Sequence, residues 1–242
     1  MIPVATDLWY RHFGFRSNPF TMKPGLLNDE VIAYDLDSLF SKIDYGGVIF
    51  VEGPYGTGKS TILKNIINEF GGKRQVVYYS ANRRGKPIDF YALLKGKYGF
   101  FGKVFRGLPS DMILLLDEAD SMTEEDFENL REYYEQGNFK SIVMVADSFD
   151  KLKISDYFFD LVKDNIISLT ELDESEAIML IRSRVGDLDF LPDDVIKKIF
   201  RLSGKNPRTL LKNCEDVCRY AFRHGAATVT EQHVEKALGK EK

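Results

Sequence analysis

The 242-residue sequence has only two cysteines, Cys214 and Cys218, and three scattered histidines, His12, His224 and His233. That count excludes a disulfide-built scaffold. The two cysteines lie one helical turn apart, a spacing open to zinc, but with no further cysteine and no grouped histidine they read as core side chains. No apolar run reaches the length that crosses a bilayer, and the first residues lack the layout of a secretory signal. The expected compartment is therefore the cytoplasm. Internal repeats and low-complexity stretches are absent. What remains is ordinary for a soluble globular chain, with 44% hydrophobic and 29% charged residues.

The formal net charge of −4 hides an asymmetry. Residues 71–110 carry nine basic side chains against the single acid Asp89, a balance of +8. Residues 111–160 carry fourteen acids against four bases, a balance of −10. A bland total thus leaves room for a basic face.

The most specific signal is Gly53-Pro54-Tyr55-Gly56-Thr57-Gly58-Lys59-Ser60, which fits the phosphate-binding P-loop pattern. Glycines let the backbone curl so that several N–H groups point at one anion. Lys59 supplies a point charge for the β- and γ-phosphates, and the Ser60 hydroxyl suits Mg²⁺. Residues 47–52 read as a buried strand entering the loop, and Thr61 begins helical spacing leaving it. Strand, glycine loop and helix N-terminus together make an anion site.

Met112–Leu116 is a continuous apolar run, as expected of a strand buried on both faces of a parallel sheet. It leads into Asp117-Glu118-Ala119-Asp120. An acid at the end of such a strand holds Mg²⁺ in P-loop proteins, and Asp117 fits that place. Glu118 is placed to orient the attacking water and accept its proton. These letters also match a helicase motif, but the chain is too short for two helicase lobes. A further strand over 141–146 leads into Asp147 and Ser148. A polar side chain there would reach the γ-phosphate or the water, with Ser148 the choice and Asp147 the rival.

Strands at 47–52, 75–80, 112–116, 141–146 and 165–169 are expected to alternate with helices near 36–44, 59–70, 88–95, 122–136 and 151–162. That alternation predicts a parallel sheet between helices. Strand signals stop after Leu169. Four helices follow: 173–185, capped by Asp173 with Glu176 three residues on; one opened by Pro192; 207–223; and 230–238, capped by Thr230.

These segments resemble the AAA+ ATPases, and within them the origin-initiator and ExeA/TniB transposition-regulator branch. The likeness rests on residues 10–20, Tyr10-Arg11-His12-Phe13-Gly14-Phe15-Arg16-Ser17-Asn18-Pro19-Phe20, on the P-loop, on Leu116–Asp120, and on Leu202-Ser203-Gly204-Lys205-Asn206-Pro207-Arg208-Thr209-Leu210-Leu211. The resemblance implies an α/β P-loop NTPase sandwich over residues 1–170, with 1–30 as a strap near the adenine, and a small helical lid over 171–242. It implies ATP as the nucleotide, Arg208 as a lid arginine reaching the γ-phosphate, and Phe13–Phe20 close to the adenine. The alternative for the last is a plain hydrophobic strap.

Two departures from the family pattern stand out. The stretch before the last strand, Asp156–Asn165, holds no arginine where such proteins place an arginine finger; Lys163 is nearest. Lysine lacks the planar, multi-donor grip of a guanidinium, so hydrolysis is expected to be slow or to need a partner that supplies the arginine. The winged-helix domain common in initiators has no counterpart among these residues, so any DNA contact is expected from the ATPase core.

Residues 81–106 join seven bases and one acid to Tyr91, Tyr98, Phe100, Phe101 and Phe105. Arg83, Arg84, Lys95, Lys97, Lys103 and Arg106 are the candidate phosphate contacts, with an aromatic to stack or wedge. The alternatives are a solvated loop and, at Phe100-Phe101-Gly102, a loop gripping polypeptide. The expected function is an ATP-hydrolysing switch that assembles on DNA as a homo- or hetero-oligomeric ring or spiral. The alternatives are an ATPase that remodels a protein partner without nucleic acid, and a nucleotide sensor with negligible turnover.

Overall fold

Uninterrupted apolar runs dictate the sheet. The computed structural model describes residues 8–22, 35–71, 75–82, 87–98 and 107–239. Five strands form it: β1 (Gly47–Glu52), β2 (Val76–Ser80), β3 (Met112–Asp117), β4 (Phe139–Ala146) and β5 (Ile166–Ser168). All neighbours are parallel, in the order β2-β3-β4-β1-β5. β4 is thus central, and β1 lies inside the sheet between β4 and β5. Parallel strands need crossovers that cover both faces, which explains why β1, β3 and β4 are buried almost throughout.

The crossovers carry α2 (Leu36–Tyr45), α3 (Lys59–Phe70), α4 (Phe90–Lys95), α5 (Glu124–Glu135) and α6 (Asp156–Val162), numbered after a short α1 (Trp9–His12). One sheet face packs Val48, Phe50, Leu114, Leu116, Ile142 and Met144 against Phe127, Leu130 and Phe158. Ser141 is buried within β4 and donates to the Ile43 carbonyl at 2.6 Å, so its hydroxyl is not left unpaired. Buried Asp126 accepts from Thr123 N–H and hydroxyl and from Ile88 N–H, fixing the start of α5 against the segment before α4.

Most elements fall where sequence spacing predicts them. The main difference lies at 151–162, where a 3₁₀ turn at Phe149–Lys151 and an extended stretch precede α6. Ser155 adopts extended backbone (φ −75°, ψ 157°), so the helix begins only at Asp156.

The chain divides into two compact units. One comprises Tyr34–Tyr55 and Lys59–Thr170, the sheet and its helices. The other comprises Met1–Ala33, Gly56–Gly58 and Glu171–Lys242. Residues 8–22, the described part of the N-terminal segment, thus group with the C-terminal helices.

That second unit contains α7 (Glu174–Val185), α8 (Asp193–Leu202), α9 (Pro207–Arg223) and α10 (Glu231–Leu238). Trp9, Phe13 and Phe20 are buried in its core; Trp9 stacks on Phe20 at 5.9 Å and Phe13 meets Phe190 at 4.7 Å. These rings pack as a hydrophobic strap. Asp173 and Glu176 form the reciprocal cap expected at α7. Cys214 and Cys218 lie fully buried on α9, and burial pushes both thiols up. Both pack within the hydrophobic core of this unit.

Candidate functional site

β1 delivers the chain into the glycine loop, and α3 begins at Lys59 directly after it. The first turn of a helix leaves backbone N–H groups without intrahelical acceptors, which suits an anion. Gly56 and Gly58 take φ of +89° and +108°, which side-chain-bearing residues rarely adopt. Gly56 has no room for a side chain either. Within its unit, a Cβ there would stand 2.6 Å from Asn206 Oδ1 and 3.1 Å from Arg208 Cβ. The loop tip thus lies beside the start of α9, which Asn206 caps and Pro207 opens. Arg208 itself is exposed on the first turn of that helix.

The Lys59 ammonium donates to the Gly53 carbonyl at 2.5 Å, to the Pro54 carbonyl at 3.1 Å, and to Asp147 Oδ1 at 2.9 Å. Of the two residues weighed at the end of β4, the geometry brings Asp147 to Lys59. Ser148 sits one position on, leads the 3₁₀ turn, and makes no side-chain capping bond.

β3 delivers the acids. Asp117 Oδ1 accepts from Glu118 N–H at 3.0 Å, and Oδ2 accepts from the Tyr78 hydroxyl at 3.1 Å. Register explains the second bond: Ser80 pairs with Asp117, and Tyr78 lies two residues back on the same face of β2. Burial raises the Asp117 carboxyl above its ordinary range, against the lowering effect of the two hydrogen bonds. Tyr78 is pushed up to about 12, first by burial and then by the neighbouring Asp117 charge. Its phenol therefore stays a neutral donor near pH 7.

Glu118 adopts left-handed backbone at φ +56°. That turn brings its carboxylate within reach of the end of β2, where Ser80 Oγ donates to Oε2 at 2.8 Å, and of the residues just after it, where Asn82 Nδ2 donates to Oε1 at 3.2 Å. A non-glycine residue held in this region is strained, and such strain gathers at functional positions.

Sequence reasoning missed Tyr78, Ser80, Asn82 and Glu52. Glu52 closes β1 and accepts from Ser168 Oγ at 2.6 Å and from Phe149 N–H at 2.9 Å. Alternation along β2 hints that Tyr78 and Ser80 share a face, but only register shows which acids they meet.

Of the basic candidates, Lys95 and Lys97 are described. Lys95 lies over the Tyr91 ring, 4.8 Å from its centroid, near the end of α4. Arg83, Arg84, Lys103 and Arg106, together with Phe100-Phe101-Gly102, lie outside the described residues. Lys163, nearest to the missing arginine, is paired with Asp160 at 2.8 Å.

A glycine cradle with one pinned carboxylate and a serine hydroxyl at the start of α3 fits a nucleotide phosphate chain with Mg²⁺. That ion is held by one or two carboxylates plus phosphates and water rather than by an all-protein cage. Ser60 and Asp117 are the residues that would hold it.

The family model for AAA, the ATPase family associated with various cellular activities, matches residues 49–157. No curated protein sequence matches the chain. Among solved structures, Drosophila ORC bound to DNA shares 17% identity at a TM-score of 0.66, over 98% of this chain and 66% of that one. Cdc6p from Pyrobaculum aerophilum shares 18% at 0.66, over 90% and 69%. The RuvB Holliday junction branch migration motor of Thermotoga maritima shares 16% at 0.65, over 87% and 73%. At these identities the likeness is one of fold: an AAA P-loop sandwich followed by helices. No helix among the described residues is long and apolar enough to cross a membrane.

Proposed function

Because residues 49–157 carry an AAA domain on the fold shared with ORC, Cdc6p and RuvB, we propose that the chain is an ATP-binding and hydrolysing switch that assembles on DNA. The observation that carries this reading is the convergence of Lys59, Asp147, Asp117 and Glu118 at one end of a parallel sheet, where such sheets bind ligands.

The glycine cradle and the first turn of α3 take the phosphate chain. Lys59 exchanges the Gly53 and Pro54 carbonyls for β- and γ-phosphate oxygens. Mg²⁺, held by Ser60 and Asp117, would neutralise charge developing on the phosphates. Glu118 orients a water and accepts its proton once its carboxylate is released from Ser80 and Asn82. Asp147 holds Lys59, and Ser148 is the second polar group near the water. Arg208 adds a cation from α9 at the γ-phosphate, so that nucleotide state changes the disposition of the helices.

The stretch Asp156–Asn165 supplies no guanidinium, so a partner or a neighbouring copy provides it, and turnover by the isolated chain is slow. The DNA part of the reading draws on the +8 balance of residues 71–110. It also draws on two structural neighbours, one bound to DNA and one a Holliday junction motor. Steady-state ATP hydrolysis with and without duplex DNA, beside Lys59→Ala, is the test. Stimulation by DNA that disappears in Lys59→Ala supports the switch. A rate indifferent to DNA moves the reading to a protein partner.

A further inference from the structure

None of the roles above uses Glu52, yet both of its carboxylate oxygens are engaged. Oε1 takes the Ser168 hydroxyl and Oε2 the Phe149 N–H. Register accounts for the first bond: Glu52 pairs with Ala146 of β4 on one side and with Ser168 of β5 on the other. Phe149 lies three residues beyond Ala146, where β4 has ended. Its ring also packs on Phe50, 5.2 Å between centroids, on the same face of β1 as Glu52. Phe149 is therefore held twice, by ring and by amide.

The other end of the same short segment is Asp147, whose Oδ1 meets the Lys59 ammonium. Asp147–Phe149 thus fastens to the residue before the glycine run and to the lysine after it. We infer that Glu52 is a positioning residue for the phosphate site. By accepting the Phe149 N–H, it sets where the Asp147–Ser148 turn stands relative to Lys59. The kinetic consequence rests on the ATPase reading; the geometric one does not.

Hydrogen-bond chemistry separates the variants. A glutamine at this position serves both partners: its carbonyl accepts from Phe149 N–H, and its amide donates to Ser168 Oγ, which has lone pairs to offer. Alanine offers no acceptor and leaves the Phe149 N–H short of its partner.

The experiment compares wild type, Glu52→Gln and Glu52→Ala by ATP turnover, equilibrium ATP affinity and amide hydrogen exchange at Phe149. Glu52→Ala is expected to lower kcat by about tenfold, with affinity held within about twofold and faster exchange at Phe149. Glu52→Gln is expected to restore all three. If Glu52→Ala does not fold, Glu52→Leu takes its place, filling similar volume without an acceptor. Wild-type kcat and exchange in the acceptor-less variant would overturn the inference. So would a Gln variant as impaired as Ala, which would make charge rather than hydrogen bonding the agent. A wild-type chain that binds ATP without turnover defeats the ATPase reading alone, and exchange at Phe149 then decides the role of Glu52.

Discussion

Lys59 and Asp147 form an ion pair at 2.9 Å across 88 residues of sequence, with the lysine largely covered and the carboxylate half exposed. The lysine proposed to bind phosphates is thus already engaged. On that proposal an incoming nucleotide competes with Asp147 for it, while Asp147 keeps it aimed. A half-exposed pair is worth roughly 0–1 kcal/mol, which caps the competition at about fivefold. Asp147→Asn is therefore expected to tighten ATP binding two- to fivefold by titration calorimetry, at the order-of-magnitude set by that cap. Hydrolysis should fall, because Lys59 loses its guide. Weaker binding in this variant would show that Asp147 does not compete.

Glu118 is held on both oxygens by Ser80 and Asn82. Ser80→Ala removes the shorter of these bonds and is expected to raise basal ATP turnover by about two- to fivefold, the worth of one ordinary hydrogen bond. Glu118→Gln should bind ATP normally and lose turnover by ~10²-fold or more, as removal of a general base does. Basal turnover unchanged or lowered in Ser80→Ala would mean that the serine aims the glutamate rather than restrains it.

The Asp117 carboxyl sits above its ordinary range because it is partly buried. Holding a cation needs the ionised form, so Mg²⁺-dependent nucleotide affinity should begin to fail at a pH above the ~3.9 of a free aspartate as pH drops. The Tyr78 hydrogen bond opposes the rise, so Tyr78→Phe should move that limb to still higher pH. The sign for folding is opposite. The raised group binds more protons folded than unfolded, so its contribution to nucleotide-free stability is present at low pH and lost as pH rises through the folded value. Carboxyl NMR titration of the wild type and of Tyr78→Phe checks the direction.

Lys95 and Lys97 sit at the end of α4 within the basic segment. If the segment meets duplex phosphates, each removed contact lowers the slope of log affinity against log salt by about 0.9. A Lys95→Ala, Lys97→Ala double variant should bind DNA more weakly for all sequences alike, with a slope reduced by one to two such steps. Fluorescence anisotropy across a salt series measures it, and an unaltered slope would clear these two lysines of phosphate contact.

The strands were legible because a parallel sheet buried on both faces writes itself as unbroken apolar runs at Val48–Val51, Met112–Leu116 and Ile142–Ala146. The glycine loop was legible because its spacing is rigid. Asp173 with Glu176 announced α7 through capping chemistry that is local in sequence. What stayed hidden depends on register. Nothing near Tyr78 indicates that β2 lies beside β3 with Ser80 opposite Asp117, or that Glu52 falls between Ala146 and Ser168. That Asp147 rather than Ser148 meets Lys59 depends on where one loop points as it leaves β4. The packing of the aromatic strap was hidden for a related reason: nothing in the apolar character of Phe13 and Phe20 says which helices bury them, and only tertiary packing shows it.

The sequence holds one tryptophan, Trp9, 1% exposed and stacked on Phe20 within the helical unit. Its ultraviolet emission should be blue-shifted and should report on that unit alone, while the sheet carries no indole at all. Melting followed by this intrinsic optical probe, set beside melting followed by backbone dichroism, would resolve the two halves of the chain without any label. Coincident transitions would mean that they unfold as one cooperative body.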